Sequence, residues 1–483
     1  MDPALIRELR EVLDPAGLKT SPEGCAAFEC DALSAHTRVP DLVVLPTEVE
    51  QVRRVLGICR AHGVPVVTRG AGTGLSGGAL PVAGGVLLVL SRMNRLLELD
   101  PMRRIARVQP GVTNLSISEA ARPFGLFYAP DPSSQLACSI GGNVAENSGG
   151  VHCLKYGLTF NNLLQIKLLT LDGELLTIGN EMQETNGFEL LALLTGSEGL
   201  LGVVVEVTVR LLPRPPSVEL LMATFADVPA CGAAVAAIIG AGIIPAGLEM
   251  MDGPAIEAAE DFAHCGYPRG AQALLLCELD GVAEDVAWQA ERVREHLAGC
   301  GALAVSQAAD AAARERMWSG RKSAFSAVAR LAPDYYCMDG TIPRRRLPDV
   351  LMRIAELSRE AALPIVNVFH AGDGNLHPLI LFDAGRPGEL ARAERLGARV
   401  LELCVEVGGT VTGEHGVGVE KLGPMCAQFG AGELTVFHAL KAAFDPARLL
   451  NPGKAVPTLA RCAEHGAMHV HHGRLPHADL PRF

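Results

Sequence analysis

The stretch "NVFHAGDGNLHPLILFD", residues 367–383, sets His370 and His377 on either side of a Gly-Asp-Gly-Asn turn between two apolar runs. A hairpin needs the turn but has no need of imidazoles flanking it. The two histidines close one strand and open the next across a six-residue loop. Antiparallel pairing would therefore place them opposite one another with Cβ atoms about 5 Å apart, which is chelating distance. A second stretch, "GGTVTGEHGVGVEK" at 408–421, supplies Glu414 as a third ligand, followed at once by His415. Two imidazoles and one carboxylate leave coordination positions open for a substrate, as Lewis-acid chemistry requires. Either histidine alone would read as a satisfied core or turn residue; the pair with a glycine-flanked Glu-His favours the metal. Within "ERMWSGRKSAFSAVARLAPDYYCMDGTIP", residues 315–343, Arg321 offers a planar fork suited to a carboxylate. Its bland alternative is a solvated helix face.

A second kind of chemistry is written in glycine. "TRGAGTGLSGGAL", residues 68–80, contains Arg69, Gly70, Ala71, Gly72, Thr73, Gly74, Ser76, Gly77 and Gly78. Gly72, Gly74 and Gly77 form a nominal GxGxxG, but a dinucleotide fingerprint needs a helix after the loop. The next strand, "GVLLVLS", starts at Gly85 and leaves no room for one. What remains is a loop of unshielded backbone amides, suited to a pyrophosphate, or else a flexible turn. "CSIGGNVAENSGG" at 138–150 adds Ser139, Gly142, Asn143, Asn147, Gly149 and Gly150. "TGSEGLLG" at 195–202 adds Gly199 and Gly202, and runs directly into a strand. Three such loops in one region read as walls of a single large cofactor site.

The elements that must position these residues fall into three regions. From about 40 to 212, short β-branched runs alternate with helical patterns and glycine loops, up to the proline cluster "LLPRPP" at 211–216. From there to about 365, "VELLMATFAD", "AGLEMMD" and "AQALLLCELDG" read as strands and "VAEDVAWQAERVREHLAG" as a helix, an α+β pattern. The third region runs from the histidine hairpin through "FDPARLLNPGK" and ends in the tail "RCAEHGAMHVHHGRLPHADLPRF". At 483 residues the chain is too long for one ordinary core. A net charge of -12 without Lys/Arg runs argues against a nucleic-acid partner. Thirteen scattered cysteines without a CxxC pair argue against an iron–sulfur cluster or a disulfide framework. The uncharged stretch 228–248 splits better into a buried helix and a strand than into a membrane span. The opening "MDPALIRELREVLD" reads as an amphipathic helix rather than a signal peptide, so a cytoplasmic chain is expected.

"PTEVEQVRRVLGICRAHGVPVVTRGAGTGLSGGA", "DPSSQLACSIGGNVAENSGG", "KYG", "GSEGLLG" and the late "NPGK" together resemble the FAD-binding module of the vanillyl-alcohol oxidase/PCMH flavoprotein superfamily. The resemblance implies an α+β fold. A PCMH-type two-subdomain FAD-binding module would span 1–215. An α+β, ferredoxin-like substrate and metal domain would span 216–457, with a helical return segment at about 430–457. It also implies that the 70–78 loop holds the FAD pyrophosphate, that Pro130, Asp131, Ser139, Gly142 and Asn143 line the diphosphate, ribityl chain and ring, and that Val204 lies near the adenosine, with Asn451 of "NPGK" closing the site. Some members attach FAD through a histidine in or near the first loop. Residues 68–80 contain neither His nor Cys, so non-covalent FAD is expected, with His152 and Cys153 the remaining attachment candidates.

"FHAGDGNLHP" and "TGEHGVG" resemble the metal signature of the FAD-linked D-2-hydroxyacid dehydrogenases, which include D-lactate dehydrogenases and bacterial glycolate oxidases. By that resemblance His370, His377 and Glu414 bind a divalent metal (Zn, Mn or Fe), His415 is the base, and Arg321 meets the substrate carboxylate. Relatives taking a dicarboxylate carry a Thr and a Lys downstream of the matching Arg. Those places fall here near Phe325 and Tyr336-Cys337, which points to a small 2-hydroxyacid. The His-rich tail at 458–483 resembles that of the D subunit of bacterial glycolate oxidases. This implies docking to a second FAD-binding subunit and an iron–sulfur subunit, with membrane contact only through partners or quinone. The rival readings are a stand-alone D-lactate dehydrogenase and a non-catalytic flavin-bearing scaffold.

Overall fold

The computed structural model describes residues 1–182 and 187–458. The expected tail segment, from residue 459 onward, lies outside the described residues.

Two large sheets build the first half. Strands Leu42–Val44 and Val66–Arg69 both pair parallel with Val86–Val89 between them, and Leu18–Lys19 adds antiparallel at the edge. All four residues of Val86–Val89 are buried, as a strand covered on both faces requires. No helix follows the glycine loop, in line with the rejected dinucleotide fingerprint. Yet the flanking strands are parallel neighbours, so the loop itself makes the crossover. The second sheet is antiparallel, in the order Leu96–Asp100, Ile105–Val108, Val203–Arg210, Leu163–Leu169, Leu175–Gly179. Helices Asn114–Ala121 and Ile140–Glu146 pack onto it through Ile117, Ala121, Ile140 and Val144.

After the proline cluster the chain enters a third sheet. Its strands include Ala304–Gln307, Ser217–Phe225, Ala273–Gly281, Gly247–Asp252 and Ile365–His370, in that spatial order. Strand Ser217–Phe225 shows why the apolar runs here lack alternation. Leu221, Ala223 and Phe225 enter one core with helices Val228–Gly240, Ala283–Gly299 and Leu347–Ala361. Leu220 and Met222 enter another with Gly253–Ala263 and Ala311–Val328. Helices cover both faces, so both sides of the inner strands must be apolar, while the edge strand Ala304–Gln307 is exposed. Residues 228–248 form the expected helix, Val228–Gly240, and lead into strand Gly247–Asp252. No helix among the described residues is long and apolar enough to cross a membrane.

The chain then returns to the first sheet. After helix Ala431–Phe444, Leu450 bridges Val66 in parallel, and the Asn451 amide donates to the Val66 carbonyl at 2.8 Å. Leu450 is buried in the core of the first sheet.

Candidate active site

The histidine hairpin is tighter than its spacing suggested. His370 pairs with Asn375, and Asn367 with Pro378, so only residues 371–374 form the turn. His370 and His377 are therefore diagonal neighbours on one face rather than directly opposed. Their rings still meet edge to face, with centroids 5.1 Å apart. Glu414 joins them: its Oε1 lies 3.2 Å from His370 Nε2 and 2.9 Å from His377 Nε2.

The tautomers decide what this cluster can hold. His377 Nδ1 faces the Met338 carbonyl at 3.3 Å, which can only accept, so Nδ1 must carry the proton. His370 Nδ1 likewise donates to Glu249 Oε1 at 2.8 Å. Both Nε2 lone pairs then converge on a carboxylate oxygen, and only protons or a cation can lie between them. Burial opposes a charge on His370, yet the carboxylates of Glu249 and Glu414 outweigh it and hold its protonated form well above the usual range. Burial likewise favours neutral Glu414, but His370 and His377 hold it well below the usual carboxylate range. Ligand atoms of His370, His377 and Glu414 all lie within 4.8 Å of one another. With both Nδ1 groups anchored behind them, these three residues fit a divalent metal.

His415 lies parallel to His377, with ring centroids 4.9 Å apart and planes 8° apart. Its Nε2 is 3.9 Å from Glu414 Oε1, beyond hydrogen-bond reach, and its buried Nδ1 has no partner. Burial pushes the imidazole down to about 4, so the ring is neutral near pH 7. The loop is held by a residue that its own sequence did not disclose. Asp339 accepts from the amides of Gly413, Glu414 and His415 at 3.1, 3.2 and 2.9 Å, and from Lys421 Nζ at 3.0 Å. Both Asp339 and Lys421 are fully buried.

The glycine loops line one cavity of about 460 Å³ that ends at His377, Glu414 and His415. Of the expected residues, Gly70, Ala71, Gly72, Thr73, Gly74 and Gly78 line it from the first loop, and Ser139, Gly142 and Asn143 from the second. Gly199, Gly202 and Val204 complete the third wall. Ser133, Ser134 and Ser197, which the sequence reading missed, also contribute. Ser139 caps helix Ile140–Glu146, and a Cβ on Gly70 would fall 2.1 Å from its Oγ. A Cβ on Gly74 would meet nothing within 4 Å, so its bare backbone faces open space.

The remaining expected residues are not placed in that wall; they hold the frame behind it. Arg69 donates to the Cys30 carbonyl at 2.6 Å, and its guanidinium occupies the space a side chain at Gly72 would need. The Ser76 carbonyl accepts from the Val419 amide at 2.9 Å, and Gly77 backs onto the Val419 side chain. The Pro130 carbonyl accepts from Asn114, while Asp131 accepts from His152 Nδ1 at 2.8 Å. Asn147 ends its helix in a left-handed conformation and accepts from the Phe160 amide at 2.9 Å. Gly149 packs beside Glu414 Oε2, and Gly150 against the Asp131 backbone. Asn451 donates to the carbonyls of Gly78 and Glu198 at 3.0 and 2.8 Å, tying two loops together. Arg321 is also absent from the wall. It is 1% exposed, and its Nε donates to Glu249 Oε2 at 2.7 Å, behind His370. Neither His152 nor Cys153 lines the cavity.

Residues 214–455 match the C-terminal domain of FAD linked oxidases, and residues 40–179 match an FAD binding domain. The chain belongs to the FAD-linked oxidases. A glycolate oxidase subunit GlcD from Escherichia coli K12 is 62% identical over 480 residues, covering 99% of this chain and 96% of that protein. The Bacillus subtilis 168 subunit of the same name is 38% identical, covering 94% and 97%. A D-lactate dehydrogenase from Anaerostipes hadrus is 30% identical, covering 94% and 97%. The fold also matches p-cresol methylhydroxylase with substrate bound, at a TM-score of 0.80 and 18% identity, covering 95% of this chain and 97% of that one. The PCMH-type fold is thereby established, and this FAD-linked oxidase is a flavoprotein oxidoreductase. Its glycine-walled cavity fits FAD, since Gly74 lines it and borders space that a side chain there would enter.

Proposed function

We propose that this chain oxidises a small 2-hydroxyacid, glycolate and also D-lactate, to the 2-oxoacid, as the catalytic flavoprotein subunit of a glycolate oxidase-type assembly. The convergence of Glu414, His370 and His377 at the end of the flavin cavity, beside an unpaired neutral His415, carries this reading. Its relatives' names point the same way.

Bound FAD would accept the substrate's α-hydrogen as hydride, and a divalent ion held by His370, His377 and Glu414 would withdraw charge from the hydroxyl oxygen. The protein's own residues do the rest. His415, neutral near pH 7, takes the hydroxyl proton at Nε2 as the α-hydrogen leaves. The parallel His377 ring fixes its plane, and Asp339 fixes its backbone. Glu249 orients His370 through Nδ1, and Arg321 neutralises Glu249. Arg321 thus acts as a positioning residue, two contacts removed from His370. Phe325 meets His377 in a T-shaped contact, ring centroids 6.1 Å apart, and lines the cavity beside it, which suits a substrate with little side chain.

Electrons leave through a second FAD-binding subunit and an iron–sulfur subunit. A stand-alone D-lactate dehydrogenase is the alternative within the class. Anaerobic addition of glycolate or D-lactate should bleach the flavin; a spectrum unchanged by either acid would leave a scaffold subunit as the better reading.

A further inference from the structure

Two buried carboxylates grip the loop that carries Glu414 and His415, one toward each end. Asp339 holds the amides of Gly413, Glu414 and His415. Glu198 holds the other end: its Oε1 accepts from the Val417 amide and its Oε2 from the Gly418 amide, both at 2.7 Å. Gly416 lies between the two grips with φ at 80°, and a Cβ there would fall 1.9 Å from Glu146 Oε2. The loop therefore turns at a residue that admits no side chain, and its path depends on what holds it on either side.

The two grips differ in where they stand. Asp339 lies outside the cavity wall. Glu198 belongs to the third glycine loop, whose Ser197, Glu198 and Gly199 all line the cavity. Among the described residues, it is the one cavity-lining side chain that hydrogen-bonds the backbone of residues 413–418. Its own backbone is committed as well. The Glu198 amide donates to the Ala145 carbonyl of the second loop's helix at 2.8 Å. Its carbonyl accepts from Asn451, which also reaches Gly78 of the first loop. With φ at 50° it is also one of the few non-glycine residues held in the left-handed region. All three glycine loops and the base loop thus meet at Glu198.

A carboxylate that accepts two backbone N–H groups makes strong bonds, but it fixes the loop only as firmly as it is itself fixed. FAD in the cavity would order the 195–202 loop and Glu198 with it. An ion on His370, His377 and Glu414 would order the same base loop through Glu414. Whichever ligand binds first bears an ordering cost that the second is then spared.

We propose that Glu198 is a positioning residue that couples the two sites, so that FAD and the divalent ion each tighten binding of the other. It rests on the flavin and metal assignments of the 2-hydroxyacid reading and makes the two sites interdependent. Linkage requires the coupling to be reciprocal, so it can be measured from the flavin side alone.

Dilution of the FAD-loaded full chain in Zn²⁺, in Mn²⁺ or in chelator, with free flavin separated by ultrafiltration, gives the FAD affinity in each condition. In the wild type, chelation should weaken FAD binding about tenfold, within the usual range for coupled sites. Glu198→Gln keeps only one accepting oxygen and should bind FAD almost equally with ion and with chelator. Glu198→Asp, the milder change, keeps both oxygens on a shorter arm and should show a ratio below the wild type's. A merely structural role would weaken FAD binding equally in every condition and leave the tenfold ratio unchanged. That ratio in either variant, or equal FAD affinities across all three conditions in the wild type, would overturn the proposal. Should glycolate still bleach the flavin of such a wild type, the 2-hydroxyacid reading would stand without the coupling. A wild type that binds neither ion would sink the metal assignment and the coupling together.

Discussion

Arg321 and Glu249 form an ion pair in which both side chains are 1% exposed, with the arginine Nε and Nη2 each 2.7 Å from one carboxylate oxygen. The other carboxylate oxygen accepts from His370 Nδ1. Removing the arginine strands a buried carboxylate, which costs about 3–5 kcal/mol, whereas the intact pair is itself worth little. Arg321→Met should therefore lower the unfolding free energy by about that amount and weaken metal binding about 10–100-fold by loosening His370. Urea unfolding with metal analysis checks both. Full stability with only a raised half-saturating substrate concentration would return Arg321 to the substrate.

The flavin should be held without a covalent bond. Residues 68–80 contain no His or Cys, and both ring nitrogens of His152 face carboxylates: Asp131 at 2.8 Å and Glu278 at 3.1 Å. Acid precipitation should leave the yellow colour in the supernatant; a yellow pellet would point to Cys153.

Gly74→Asp should empty the flavin site. The added side chain meets no protein atom within 4 Å at its Cβ, so it enters the cavity and sets a carboxylate where the diphosphate must approach. The absorbance ratio of flavin to protein measures the loss, and wild-type occupancy would refute the loop assignment.

His152 joins Asp131 of the flavin-binding half to Glu278 of the third sheet. Burial opposes its charge, yet the carboxylates of Asp131 and Glu278 outweigh it and raise its protonated form well above the usual range. A raised folded-state pKa contributes stability that is full below the unfolded value of about 6.5 and is lost as pH climbs through the folded value. Thermal unfolding of the wild type should therefore lose more between pH 6 and pH 9 than that of His152→Gln. Parallel pH profiles would show that the bridge carries no charge.

The residues proposed for metal and base were legible because they sit in two short motifs, and the loops proposed for the flavin because glycine runs are local. What supports them was not. Glu249 lies in "AGLEMMD", read simply as a strand, although an acidic residue in the middle of so apolar a run was a signal that it must have a buried partner. Asp339 is 76 residues from the His415 amide that it accepts from, beyond any local pattern. The hairpin register slipped because turn tightness, not strand spacing, sets it. Arg69, Asp131, Asn147 and Asn451 were carried over with their motifs; of the same motifs Gly72, Gly74, Ser139, Gly142 and Asn143 line the cavity, whereas these four make hydrogen bonds to the protein beside it.

The central claim divides neighbouring residues between two tasks, and metal analysis with single-turnover flavin reduction of Glu414→Gln and His415→Asn tests it most directly. Glu414→Gln should lose the metal, because a neutral amide is a poor replacement for a carboxylate ligand beside two imidazoles. His415→Asn should keep both metal and FAD while its flavin reduction slows by about 10²–10⁴-fold, the usual contribution of a positioned base. Wild-type reduction rates in both variants, or metal lost from His415→Asn and kept by Glu414→Gln, would contradict the account.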